Sequence, residues 1–172
     1  MTAITWLFPG ILVSMVVAAL LSKWAGQKLQ VAQPVAWLLM TSIGLVIAAT
    51  LTPIGGSGPG ARLMHECDLA RLGLPSPSDF TSVNDTSLNV ALFVPLGIAL
   101  GLAVRRRSTL LLVAAAVVSP VLIESAQFAL PQLNRGCQSA DVVDNLLGLA
   151  LGLGLGWTLF LAGSGLTGSR RS

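Results

Sequence analysis

Few residues of this chain can do chemistry, and most of them fall in its second half. Glu124, Gln127, Arg135, Asp141 and Asn145 follow one another, with Asn89 some way upstream. Glu124 and Gln127 are three apart and Asp141 and Asn145 four apart, spacings that put each pair on one face of a helix. A carboxylate in low dielectric can act as a general acid or base because burial raises its pKa. The same carboxylate can accept hydrogen bonds and lock helix ends together. Both readings of Glu124 stand, and Arg135 is placed to reach Glu124 or Asp141. Neither a Ser–His pair nor a phosphate-binding glycine loop is present. His65 is the single histidine and Cys67 and Cys137 the only cysteines, too few for a tetrahedral zinc set. Asp141 and Asp144 at a helix start favour the helix dipole rather than a metal. No catalytic nucleophile, metal or cofactor is expected.

The elements that position these residues follow from composition. Of 172 residues, 53% are hydrophobic and 10% charged, against about 25% charged in a soluble domain. That excludes a soluble enzyme, a nucleic-acid module and a disordered chain. Five apolar windows, Ile4–Leu21, Val35–Leu51, Leu88–Val104, Leu110–Leu130 and Leu146–Ala162, are 17 to 21 residues long. About 20 residues cross a hydrocarbon core of about 30 Å, and strand-like alternation is missing. The expected fold is all-α: one polytopic membrane helix bundle over 1–172 with five transmembrane helices. The basic residues set its direction. With the N-terminus outside and the C-terminus inside, the inner side holds seven Lys and Arg, including Arg105–Arg107, and the outer side holds three with all seven acids. This obeys the positive-inside rule and accounts for the basic pI without a nucleic-acid partner.

Glu124 lies 14 residues beyond Leu110, about 21 Å along its helix, in the outer third of the bilayer. Asn89, Asp141 and Asn145 reach the same level, so three helix ends direct polar groups into one outward cup. Asp85, Thr86 and Ser87 offer caps for the third span. Ala61–Leu72 reads as a short surface helix, Gly55–Gly60 as a flexible loop and residues 163–172 as a flexible cytoplasmic tail. Pro95 and Pro120 loosen their helices. Gly148, Gly152 and Gly156 form a small-residue face for close helix packing. Cys67 and Cys137 share the outer, oxidising side, which allows a disulfide roofing the cup.

The run Asn89–Val90–Ala91–Leu92–Phe93–Val94–Pro95–Leu96–Gly97 resembles the first signature of the VanZ-like membrane proteins. Ile123–Glu124, Gln127, Arg135, Asp141, Asn145, Gly148 and Gly152 resemble the second. The resemblance covers residues 85–156. Cys137 after Arg135 is similar to actinobacterial variants, and Asp144 beside Asn145 leaves open which acid takes the family aspartate's role, with spacing favouring Asp141. The resemblance implies a bacterial inner-membrane protein, in a family whose founding member is associated with teicoplanin resistance.

The leading expectation is a non-enzymatic envelope protein. It binds a lipid-linked or amphiphilic ligand at the outer leaflet, with membrane lipid, a lipid-linked cell-wall precursor or a glycopeptide as partner. Its candidate site is Asn89, Glu124, Gln127, Arg135, Asp141 and Asn145. The alternatives are a membrane enzyme using Glu124 or Asp141 as acid or base on a lipid-linked head group, and a helper subunit of a membrane complex.

Overall fold

In a computed structural model, residues 7–53, 67–103 and 107–168 are described. Five helices carry the chain: α1 (Leu7–Leu29), α2 (Gln33–Thr50), α3 (Asp85–Ala103), α4 (Arg107–Ala129) and α5 (Ser139–Gly168). Each is long and apolar enough to cross a membrane, so this is a multi-pass membrane protein with an all-α fold. The helices alternate in direction. The start of α1, the end of α2, the start of α3, the end of α4 and the start of α5 meet around one cavity. That end also carries the only sheet among the described residues, two short parallel strands, β1 (Cys67–Asp68) and β2 (Cys137–Gln138). It is called the disulfide end below.

The centre of the bundle is the pair α3 and α5, the most extensive contact between any two elements. The reason is glycine. A methyl group added at Gly97 would stand 2.4 Å from the Leu149 carbonyl oxygen, and one at Gly152 2.2 Å from that of Val94. Gly148, Gly101 and Gly156 meet the opposite backbone as closely, with Val90, Leu153 and Ile98 as their partners. Lipid tails are as apolar as leucine, so helices associate in a membrane by tight packing rather than by escape from solvent. Around this pair sit Phe93, Leu96, Ala99, Leu100 and Leu149, joined by Leu39 and Val46 of α2 and Ala116 and Ile123 of α4.

Several hydroxyls within the helices are satisfied locally, as hydrocarbon favours. Ser14, Ser42, Thr50 and Ser125 each donate to the carbonyl four residues back. Pro120 lacks an N–H and frees the Ala116 carbonyl; Ser119 Oγ donates to that oxygen at 2.8 Å. Pro95 frees the Ala91 carbonyl in the same way, and Ala91 lines the cavity at the disulfide end. The cap of α3 is Asn84, ahead of the expected Asp85–Ser87. Its Oδ1 accepts from the Ser87 N–H at 2.9 Å, and Ser87 Oγ accepts from the Asn84 N–H at 3.0 Å, a reciprocal cap. At the opposite end Gln30, with φ of 55°, takes the left-handed conformation that stops α1.

Two expectations need correction. The surface helix over 61–72 is not formed in its described part: Cys67–Asp68 is a strand and the next residues are irregular. Pairing with β2 supplies backbone partners there that a lone helical turn would have to make by itself. Residues 61–66, like the loop at 55–60, lie outside the described residues. The last helix continues past residue 163 to Gly168, and 169–172 lie outside.

The glycine contact yields a matched pair of substitutions. Gly152→Ala forces its methyl onto the Val94 carbonyl, whereas a methyl at Gly154 meets nothing within 4 Å. Gly152→Ala is expected to lose about 1–3 kcal/mol to overpacking. Gly154→Ala is expected to be neutral or to gain up to about 1 kcal/mol from helix propensity. Thermal unfolding in detergent followed by circular dichroism checks this; equal midpoints for the two variants would refute the backbone contact.

Candidate functional site

The site is built where α2 runs out of hydrogen-bond partners. The last four carbonyls of a helix have no intrahelical donor, and here all four find one. Ile47 O accepts from the Leu51 N–H at 2.9 Å and Ala48 O from Thr52 Oγ1 at 2.6 Å. Ala49 O accepts from Arg135 Nη2 at 2.7 Å and Thr50 O from Gln127 Nε2 at 2.9 Å. Two of the sequence-predicted site residues therefore cap α2, one of them with a cation at the negative end of the helix dipole.

Glu124 is buried on α4. Its Oε2 accepts from the backbone N–H of Gln138 at 2.7 Å, which ties α4 to β2 just ahead of α5. This departs from the expected partners, since Arg135 turns to Ala49 instead. Asn145 and Asp144 are almost fully enclosed between α5 and its neighbours. The two acids of α5 divide their roles. Asp144 forms an ion pair with Arg71, from the segment between α2 and α3. Asp141 lines the cavity. Charge-assisted bonding to Asp144 raises the pKa of Arg71 above its usual value. Ser139 Oγ donates to Arg71 O at 2.8 Å, and Cys67 and Cys137 are joined by a disulfide with Cα atoms 4.5 Å apart. Ion pair, hydroxyl and disulfide hold the Cys67–Arg71 segment against the start of α5.

Between these ties lies a cavity of about 610 Å³. Its polar wall holds Asp85, Asn89, Gln127, Asn134, Arg135, Gln138 and Asp141; its apolar wall includes Leu7, Leu45, Leu88 and Leu92. Of the six residues singled out from sequence, Asn89, Gln127, Arg135 and Asp141 face this space, while Glu124 and Asn145 stand behind it. Asp85, Asn134 and Gln138 were missed. Asp85 had a signal, because it precedes Asn89 by four and so shares its helical face. Gln138 had none, being placed by strand pairing. The Arg135 guanidinium is half-buried. Burial pushes its pKa down, and Asp141, Glu124 and Asp85 push it back up. Its Nε has no hydrogen-bond partner, and neither do Asp144 Oδ1 and Asn145 Oδ1.

The sequence matches the VanZ/LLP1 family profile over residues 5–161. The chain belongs to the VanZ/LLP1 family. The match takes in α1 and α2, which the sequence resemblance over 85–156 had left outside. In this VanZ-type chain the second signature thus caps α2 with Gln127 and Arg135, steadies β2 with Glu124 and closes the helix pair at Gly148 and Gly152. No curated protein and no solved structure matches the chain.

The Arg71–Asp144 pair gives a second prediction. Arg71→Leu leaves a buried carboxylate unpaired, a change that costs about 3–5 kcal/mol for a fully buried pair. Because the Arg71 side chain is 31% exposed, a loss nearer about 2 kcal/mol is expected. Arg71→Leu combined with Asp144→Leu should recover part of it. A double-mutant cycle of denaturation midpoints measures the coupling; strict additivity would show that the pair does not hold the loop.

Proposed function

We propose that this VanZ-family protein binds the polar group of a membrane amphiphile in the cavity at the disulfide end, without transforming it. The supporting observation is the composition of that cavity. One wall offers a cation, two carboxylates and four amides, the other offers aliphatic side chains, and both lie at the end of five apolar helices. A water-soluble ligand needs no such apolar wall and a pure hydrocarbon needs no such polar one. In this reading the disulfide end faces outward at a bacterial plasma membrane, since the basic excess lies at the other end. Occupancy then alters glycopeptide susceptibility by changing access to lipid-anchored targets.

A second reading is favoured by one observation. Asp85 and Asp141 both line the cavity, so a membrane enzyme would use these two carboxylates as its acid and base. Glu124 would serve only as a brace, since it is engaged by the Gln138 N–H.

The test places a photo-crosslinking amino acid at Leu88, which is 54% exposed and on the apolar wall. Irradiated membranes should yield protein carrying one amphiphile, and Asn89→Leu with Asp85→Asn should reduce the adduct at least fivefold at unchanged protein level. The same double variant should return teicoplanin susceptibility to that of cells without the protein. An undiminished adduct refutes binding through the polar wall, and a chemically altered adduct favours the enzyme. Orientation is tested alongside: Ser82→Cys should react with a membrane-impermeant maleimide in intact cells and Gln30→Cys should not. The reverse pattern would turn the cavity inward.

A further inference from the structure

A second hollow runs down the membrane-embedded part of the bundle. It measures about 470 Å³ and lies between α2, α3 and α4, with Leu39, Ile43 and Ile47 on one side and Leu112, Ala115 and Ile123 on the other. Its walls are aliphatic apart from Ser119, whose hydroxyl is already committed to the Ala116 carbonyl. It extends from Leu39 to Leu51 on α2 and from Leu112 to Ala126 on α4, about 18–21 Å at 1.5 Å per residue.

Groove and polar cavity adjoin. Leu51 and Ala126 belong to the groove, Thr50 and Gln127 to the cavity. The Gln127–Thr50 hydrogen bond stands between the two. On α3, Asp85, Leu88, Asn89 and Leu92 line the cavity, and Leu96 and Leu100 line the groove. Steps of three and four make these residues one continuous stripe along the helix. A single surface therefore changes from charged to aliphatic as it descends from the disulfide end.

Size decides what fits. A helix about 10 Å across and about 18 Å long fills roughly 1,400 Å³, more than the groove holds, so a partner's transmembrane helix would lie over it and not enter it. One extended hydrocarbon chain does. Charge decides the head. Arg135 lines the cavity and spends one Nη2 N–H on Ala49 O, and a guanidinium carries further donors of the kind that recognise phosphate. Asp85 and Asp141 act on Arg135 electrostatically from the same space and outnumber it. An anionic head without an amine would meet a net negative wall; a phosphate carrying a primary ammonium satisfies both signs.

We infer that cavity and groove are the two halves of one lipid site, and that it takes an aminophospholipid of the phosphatidylethanolamine type. The phosphodiester lies at Arg135, the ammonium at Asp85 and Asp141, and one acyl chain in the groove between α2 and α4. This rests on the amphiphile-binding reading above and specifies its ligand.

The experiment is native mass spectrometry of the full chain, released from nanodiscs of equal phosphatidylethanolamine and phosphatidylglycerol. Dihexanoyl phosphatidylethanolamine, too short to reach down the groove, is the probe for the head site alone. The wild type should retain one phosphatidylethanolamine, at least fivefold over phosphatidylglycerol. Ala115→Phe and Ile47→Trp fill the groove at positions already exposed to lipid and should lower long-chain retention at least fivefold while leaving the short probe bound. Val117→Phe, on an exposed face outside the groove, is the control and should change nothing. Unchanged long-chain retention in both groove variants overturns the groove assignment and leaves the amphiphile reading standing. Equal retention of phosphatidylglycerol overturns the head-group assignment. Loss of every lipid, the short probe included, from the wild type overturns both readings. A dimer that forms in the wild type and is lost in the groove variants would show the groove to be an interface between copies, against the proposal.

Discussion

The structure depends on one contact, the backbone-to-backbone approach of α3 and α5. Carbonyl oxygens of Leu149, Val94 and Ile98 stand where Gly97, Gly152 and Gly156 would otherwise carry a side chain. At such distances Cα–H groups meet carbonyl oxygens directly, each contact adding about 0.5–1 kcal/mol. The approach also has no slack. A shift of one residue along either helix would put leucines where glycines now sit, so the register is fixed sterically. That register brings Asp141 on α5 to the cavity that Asp85 and Asn89 line on α3.

The rest of the bundle is tied to this pair by different means. α4 packs chiefly against α5 and touches α3 lightly. It is held at the disulfide end by polar bonds: Glu124 to the Gln138 N–H and Gln127 to Thr50 O. Arg135, just beyond α4, completes the set at Ala49 O. Each closes a backbone group that would otherwise be unsatisfied in hydrocarbon, where the cost is several kcal/mol. Below these bonds α4 stands off α2, and the aliphatic groove opens between them. Polar anchoring at one level, with little close packing beneath it, produces both the cavity and the hollow under it.

Sequence made much of this legible, for identifiable reasons. Span number follows from apolar length, which the bilayer fixes, and helix edges moved by three residues or fewer except at the end of α1 and in α5. The small-residue face of α5 was readable because glycine in a membrane helix has one common use; its partners Gly97 and Gly101 on α3 were not. The level shared by Asn89, Glu124, Gln127 and Asp141 was readable from rise per residue alone. The direction each group points was not. Arg135 was expected at a carboxylate and instead meets a carbonyl, because the exposed end of α2 is a strong acceptor that hydropathy windows do not show. The irregular segment that delivers Arg71 to Asp144 was equally hidden, since pairing across the disulfide is a long-range event.

Clamp and binding site are therefore not rival accounts of the same residues. Glu124 and Gln127 spend their polar atoms on backbone groups, and Asp144 spends one oxygen on Arg71. Asp85, Asn89 and Asp141 line open space. Arg135 belongs to both sets, capping α2 through Nη2 and lining the cavity. A change at Glu124 acts first on the framework, so lost function there says little about ligand. A change at Asp85 or Asn89 leaves every backbone cap in place, and it is at these two residues that the proposed binding can be separated from folding.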